Sequence, residues 1–114
     1  MDIRFQTRGP ASHLALSEHA RRRLEFRLMH RKDTVAYVAV KLGDAATRKG
    51  RQDSFCVLRV QLRDLPAATV VDVGGNAYAT IDRAVDRVGR LVEAQLNGAA
   101  GGKQGSTRMK KMAA

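Results

Sequence analysis

Three arginines between positions 74 and 96 are spaced so that they could bind an anionic partner. The segment GGNAYATIDRAVDRVGRLVEAQL predicts a helix, in which Arg83, Arg87 and Arg90 fall within roughly 60° of one another. The apolar stripe of this helix comprises Tyr78, Ile81, Val85, Val88, Val92 and Leu96. A separate acidic stripe comprises Asp82, Asp86 and Glu93. Aligned arginines favour phosphate binding, because the planar guanidinium can pair with two phosphate oxygens. The alternative interpretation is an ordinary solvated face.

Two further basic clusters lie elsewhere in the chain. Leu16, Ala20, Leu24 and Leu28 recur every four residues and predict a helix from Ser12, its N-cap, to about His30. Its exposed arginines are Arg21, Arg22, Arg23, Arg27 and Arg31. The third cluster is Arg48, Lys49 and Arg51, in a polar segment from 43 to 52 that predicts a mobile hairpin loop. If both helices lie side by side on a sheet, we expect their outward arginines to form one continuous ridge.

The patterns that mark a catalytic or metal site are missing from the sequence. His13, His19 and His30 do not share a close helical face, and no H-E-x-x-H motif occurs. The single cysteine, Cys56, excludes an internal disulfide and a multi-cysteine metal site, and its apolar setting predicts burial. The carboxylates are scattered among arginines, and the glycines at 74–75 lack a Walker lysine. We expect no enzyme, no metal and no cofactor.

Overall composition favours a nucleic-acid partner. The chain has 114 residues, a net charge of +10 and an isoelectric point near 10.9, which suits one basic domain. An anionic membrane surface is the weaker alternative, since both helices can bury their apolar stripes against a sheet. The beginning of the sequence, MDIR, lacks the apolar h-region of a secretory signal, and no stretch reaches transmembrane length. The expected location is the cytoplasm.

The remaining segments predict an α+β sandwich. Alternating or apolar runs at 2–7, 34–42, 53–63 and 67–73 predict four strands, so the order is β-α-β-β-β-α. We expect a four-stranded sheet with both helices packed on one face and the last three strands in an antiparallel meander. The predicted inward residues of the second strand are Ala36, Val38, Val40 and Leu42, and the outward ones are Val35, Tyr37, Ala39 and Lys41.

Several local features connect these elements. Gly9-Pro10 breaks the first strand, Lys32-Asp33 and 64–66 form turns, and Asn76 caps the second helix. Phe26 and Met29 are expected to pack at the margins of the first helix's apolar stripe. The domain spans 1–97. Residues 98–114 are expected to form a disordered basic tail, because this stretch is rich in Gly and Ala and has no acid.

Several stretches resemble the ribosome hibernation-promoting factor and ribosome-associated inhibitor A family. They are RLEF at 23–26, YVAVKLGD at 37–44, FCVLRV at 55–60 and, most specifically, YATIDRAVDR at 78–87. The similarity covers positions 3–96, and the length resembles the short forms of the family. The sequence departs from the family at Asn76, where Asp is common, and at 45–52, which lacks an Asn-Gly-Pro-Arg-Gly-Gly run.

The resemblance implies a role in ribosome hibernation. Family members bind the rRNA of the small ribosomal subunit between its head and body, overlap the mRNA path and the tRNA sites, and silence translation in stationary phase or stress. Some short forms act with a separate ribosome modulation factor. The resemblance and the basic clusters together give these candidate rRNA-binding residues: Arg22, Arg23, Arg27, Arg31, Lys41, Arg48, Lys49, Arg51, Arg83, Arg87 and Arg90.

Two other functional classes are compatible with the sequence. The order α-β-β-β-α also occurs in double-stranded RNA-binding domains, although the initial strand at 2–7 argues against that class. A module that binds an acidic transcription factor is the third hypothesis. An RRM is disfavoured, because Tyr37 and Phe55 do not lie in an RNP-like motif.

Overall fold

The computed structural model describes residues 1–7, 13–46 and 52–100. The strands are β1 (Ile3–Thr7), β2 (Val35–Ala46), β3 (Gln52–Leu62) and β4 (Ala68–Gly74). The helices are α1 (His13–Arg27) and α2 (Ala77–Ala100), and a short 3-10 helix, Met29–Thr34, leads from α1 into β2. The predicted order β-α-β-β-β-α is confirmed. Ser12 and Gly9-Pro10, predicted as a cap and a strand break, lie outside the described residues.

The four strands form one mixed sheet in the order β1-β2-β3-β4. β1 pairs with β2 in parallel, so α1 serves as the crossover that a parallel pair requires. β2, β3 and β4 form the predicted antiparallel meander. One register line across the meander joins Leu42 to Cys56 and Cys56 to Asp72.

Both helices cover the same face of the sheet, which confirms the α+β sandwich. The core between the layers is mainly aliphatic. Its largest fully buried side chains are Leu24, Leu28, Val35, Val38, Val40, Leu58, Val60, Leu62, Ile81, Val85, Val88 and Val92. Burying a side chain of this size contributes about 1.5–3 kcal/mol relative to exposing it. These contacts therefore fix the two helices on the sheet and determine which of their faces meet solvent.

The first turn of α2 is closed by Asn76, as predicted. The Asn76 side-chain oxygen accepts a hydrogen bond of 2.9 Å from the Ala79 amide, and the Thr80 hydroxyl donates one of 2.8 Å to the Asn76 carbonyl. Thr80 is buried. The helix then continues to Ala100, three residues beyond the predicted domain boundary at 97. Positions 101–114 of the predicted tail lie outside the described residues.

The structure corrects two features of the second strand. Val35 is buried rather than outward, because the pairing with β3 shifts between Val35 and Tyr37 and this bulge reverses the alternation. β2 also continues past Leu42, since its ladder with β3 persists to Ala46 opposite Gln52. Residues 43–46 and 52 of the predicted loop therefore belong to the strands, and residues 47–51 lie outside the described residues.

The helical layer differs from prediction at four places. Lys32-Asp33 belongs to the 3-10 helix instead of a simple turn. Tyr78 is 46% exposed, because its ring packs edge-on against the His19 ring with centroids 4.9 Å apart instead of entering the core. Phe26 and Met29 do not pack at the margins of the apolar stripe, since they are 72% and 47% exposed.

The second face of the sheet is left uncovered by the helices. Val71 and Val73 are exposed there, and the Arg4 guanidinium lies 4.1 Å from the centre of the Tyr37 ring. Lys41 and Arg59 are exposed on the same face, since they occupy the same alternation as Tyr37. The protein therefore has a helical face and an open sheet face of different chemistry.

Cys56 lies on the covered face and is fully buried, as predicted. Burial raises the pKa of its thiol to about 12, with a further contribution from the negative charge of Asp72. Because the reactive species is the thiolate, we expect no reaction between folded protein and a thiol-specific reagent at neutral pH. The same protein in denaturant should react completely, as measured by absorbance of the released chromophore. Rapid labelling without denaturant would contradict the buried position.

Candidate nucleic-acid interface

The seam between α1 and α2 is lined by charged side chains of opposite sign. His19, Arg23 and Arg27 follow one another every four residues along one side of α1, and Arg31 continues the series. They face the acidic stripe of α2. The His19 Nε2 and Arg23 Nε atoms lie 2.8 and 3.2 Å from Asp82 Oδ1. Arg27 Nε lies 3.8 Å from Asp86 Oδ1.

The C-terminal end of the seam holds the best-formed ion pair. Arg31 donates from Nε and from a terminal nitrogen to the two oxygens of Glu93, at 2.9 and 2.7 Å. This bidentate geometry is the arrangement in which an arginine and a carboxylate bind most specifically. The hydrogen bond lowers the pKa of Glu93 and raises that of Arg31.

The helices approach each other closely where the Arg27 side chain crosses α2. A methyl group at position 89 would overlap the Arg27 guanidinium, so a larger residue there would displace the end of this flexible side chain. Gly89 itself is buried. The Arg27 side chain is consequently less exposed than those of Arg22 or Arg90.

On the other side of α2, two arginines share one carboxylate of the sheet. Arg83 and Arg87 each place a terminal nitrogen 3.4 Å from a different oxygen of Asp72, whose side chain is only 13% exposed. The same arginines donate to the β4 backbone, Arg87 to the Val71 carbonyl at 3.1 Å and Arg83 to the Val73 carbonyl at 3.4 Å. These two residues therefore also hold α2 against the edge of the sheet.

The arginines that face solvent most openly lie on top of the helical layer. Arg22 and Arg90 have side chains that are 74% and 70% exposed. Arg22 shares Glu18 with Arg21, each at 3.7 Å, and Arg90 pairs with Asp86 within α2. Each of these carboxylates would keep an arginine partner if Arg22 or Arg90 were removed.

We call these residues the helical arginine surface: Arg21, Arg22, Arg23, Arg27, Arg31, Arg83, Arg87 and Arg90. They do not form the predicted single continuous ridge, because the side chains divide among the seam, the top of the helical layer and the β4 edge. They also contact five carboxylates of the same chain, namely Glu18, Asp72, Asp82, Asp86 and Glu93. Arginines nevertheless outnumber these carboxylates, so the surface keeps a positive excess.

The remaining predicted binding residues do not join the helical arginine surface. Lys41 lies on the open sheet face, on the opposite side of the molecule. Arg48, Lys49 and Arg51 lie outside the described residues. Asp72, the carboxylate that contacts two arginines, is not among the residues predicted from the sequence. Its alternation with the buried Ala68 and Val70 is the signal that would have placed it under α2.

The described residues do not form a metal-binding site. Across 1–7, 13–46 and 52–100, no three His, Cys, Asp or Glu side chains are grouped so that they could hold a metal ion. His19 is engaged by Asp82 and Tyr78, and His30 is exposed. None of the helices in this portion is long and apolar enough to cross a membrane.

Comparison with known proteins gives similarity at the level of the fold. No protein-family profile matches the sequence, and comparison with curated protein sequences gives no significant match. A ribosomal subunit interface protein from Coxiella burnetii has a similar structure, with a TM-score of 0.69 and 15% sequence identity over 85% of this chain and 99% of that one. The N-terminal domain of Thermus thermophilus Protein Y gives a TM-score of 0.62 and 21% identity over 82% of this chain and 98% of that one. The chain has the fold of these two proteins.

The bidentate pair at the end of the seam should make stability depend on pH. Because the folded state lowers the pKa of Glu93, the stabilisation is present above the ordinary value of 4.5 and is lost as the pH falls through the lowered value. We expect Glu93→Gln to lower the free energy of unfolding at neutral pH and to unfold like the parent well below pH 4.5. Urea denaturation at a series of pH values measures this difference.

The matched control is Glu25→Gln, which removes the same charge from α1. Glu25 is exposed and forms no ion pair within the part of the chain that the structure describes. The effect of Glu25→Gln on the free energy of unfolding should be small at every pH. A Glu93→Gln effect that does not change with pH would contradict the assigned ion pair.

Proposed function

We propose that this protein is a ribosome hibernation factor that binds the small ribosomal subunit through rRNA and inhibits translation. The observation that carries the proposal is the helical arginine surface, presented on a fold shared with a ribosomal subunit interface protein and with Protein Y. We further propose that it occupies the channel of mRNA and tRNA between head and body, in stationary phase or stress. This role requires binding and occlusion rather than a catalysed reaction.

Pairing with carboxylates does not prevent the arginines from binding phosphate. Exposed ion pairs contribute little to stability, because water screens the charges and ordering long side chains costs entropy. A guanidinium also has five donors, so it can keep a carboxylate contact and still donate to a phosphate oxygen. We propose that Arg22 and Arg90 make the first such contacts, together with Arg23, Arg27, Arg31, Arg83 and Arg87 at the flanks.

The distribution of charge along the sequence suggests a second contribution to rRNA binding. Segments 8–12, 47–51 and 101–114 contain eight of the 21 basic residues and none of the 11 acidic ones. The described ranges hold the other thirteen basic residues and all the acids, so they are only weakly positive. We propose that Arg48, Lys49, Arg51 and the basic segment 101–114 supply much of the electrostatic attraction to rRNA.

General binding to double-stranded RNA is the alternative function, since it would also use basic side chains to bind RNA phosphates. Strand β1, parallel to β2, adds an element that the order α-β-β-β-α of double-stranded RNA-binding domains does not contain. A competition experiment separates the two functions, because a hibernation factor should stay on small subunits in the presence of excess long duplex RNA. Transfer to the duplex would favour the alternative.

The two most exposed arginines provide the sharpest test of the interface. Arg22→Gln combined with Arg90→Gln should weaken binding to purified small subunits by roughly tenfold or more, because two charged hydrogen bonds to phosphate are lost. The slope of log affinity against log salt concentration should decrease by about 2. Co-sedimentation at several salt concentrations measures both quantities.

The matched control removes two charges from the open sheet face, by Arg4→Gln with Arg59→Gln. Both pairs of substitutions change the net charge equally, and both leave the core untouched. The control should bind like the parent protein. Equal loss in both variants would indicate non-specific attraction, and no loss in the first would argue against the helical arginine surface as the interface.

Deleting residues 101–114 tests the contribution of the C-terminal segment. The deletion removes Lys103, Arg108, Lys110 and Lys111, so the salt dependence of subunit binding should decrease by up to about 4 in slope. We expect the thermal unfolding midpoint to stay unchanged, since Leu96 is the last residue packed against the core within the ranges that the structure describes. An unchanged salt slope would assign the attraction to the remaining basic residues.

A further inference from the structure

Phe26 is a large apolar side chain in the middle of a charged helical surface. It is 72% exposed, and it lies one turn after Arg22 on the outward side of α1. Scattered exposed apolar residues are common on protein surfaces, so exposure alone carries no functional meaning. The residues around Phe26 therefore decide whether its exposure has a function.

The Phe26 ring borders a surface groove of about 490 Å³. The groove is lined by Met1, Arg22, Glu25, Phe26, Met29 and Lys32. A volume of this size falls within the range of about 300–1,000 Å³ that is typical of small-molecule sites. Two basic side chains face one acidic side chain there, so the groove combines an aromatic surface with a positive excess.

An unpaired nucleotide has the chemistry that matches this combination. A nucleobase can stack on an exposed aromatic ring, and the adjoining phosphate can pair with a guanidinium or an ammonium group. The 74% exposure of Arg22 leaves most of its donors accessible beside the ring. The groove is therefore complementary to an unstacked base of RNA together with its phosphate.

We propose that Phe26 stacks on one unpaired RNA base while Arg22 or Lys32 binds the neighbouring phosphate. This proposal rests on the proposed function, because it identifies what part of the rRNA this region of the surface contacts. It adds base stacking to the phosphate contacts that the arginines alone would make. Duplex RNA, whose bases are already stacked within the helix, should not occupy the groove.

A tryptophan introduced by substitution can report directly on stacking, because the natural chain contains no other tryptophan. Phe26→Trp should keep the affinity of the parent for small subunits, and its fluorescence should be quenched on binding to them and to an unstructured oligoribonucleotide. Leu91→Trp is the matched control, since Leu91 is 43% exposed on α2 and borders a groove lined by Ala67, Ala68, Thr69, Ala94 and Gln95. The Leu91→Trp variant should bind small subunits, and its tryptophan fluorescence should not be quenched.

A second variant separates aromatic stacking from apolar contact. Phe26→Leu keeps a large apolar side chain but removes the ring, so we expect roughly 5- to 150-fold weaker binding of small subunits. Phe26→Tyr should restore the affinity. Circular dichroism of each variant should match that of the parent, because the side chain at 26 lies outside the core.

The possible failures of this proposal and of the proposed function are distinguishable. If the parent binds small subunits while Phe26→Trp binds without quenching and Phe26→Leu binds as tightly, the stacking proposal is overturned alone. If quenching persists after ribonuclease digestion of the subunits, a protein occupies the groove and the proposal is also overturned. If the parent does not bind small subunits, the proposed function fails, whatever the tryptophan reports with the oligoribonucleotide.

Discussion

The contact between α1 and α2 is the constraint on which the rest of the helical face depends. Both helices must bury aliphatic stripes on the same side of one sheet, so their flanks are forced together. The flank of α1 is basic and that of α2 is acidic, and the resulting ion pairs run from His19 to Arg31. The Arg27 guanidinium crosses this boundary and lies against Gly89 of α2. A surface that could bind an anion is thus also part of the packing of the domain.

The sequence was a good guide to the fold because alternation and four-residue spacing report burial directly. Val38, Val40, Leu58 and Val60 face the core as the alternation requires. Alternation could not anticipate the bulge at the start of β2, which reversed Val35, because a bulge depends on pairing with another strand. The length of β2 was underestimated for the same reason, since hydrogen bonding to β3 continues through polar residues.

The arrangement of the candidate site was harder to predict. Helical geometry placed Arg83, Arg87 and Arg90 together, but it gave no information on which carboxylate each would meet. Asp72 comes from a different element, and only the packing of α2 over β4 brings it beneath two arginines. Phe26 was assigned to the margin of the apolar stripe, although its position is on the solvent side of α1. Side-chain partners across elements require the tertiary structure.

The contacts from α2 to the outer strand of the sheet have a consequence for self-association. An unpaired strand edge offers carbonyl and amide groups to any extended chain that comes near, which is a common route to aggregation. Arg83 and Arg87 already occupy the Val73 and Val71 carbonyls on this edge, and their charges repel a second copy of the same basic protein. The two guanidinium groups therefore occupy acceptors on the β4 edge that an added strand would need.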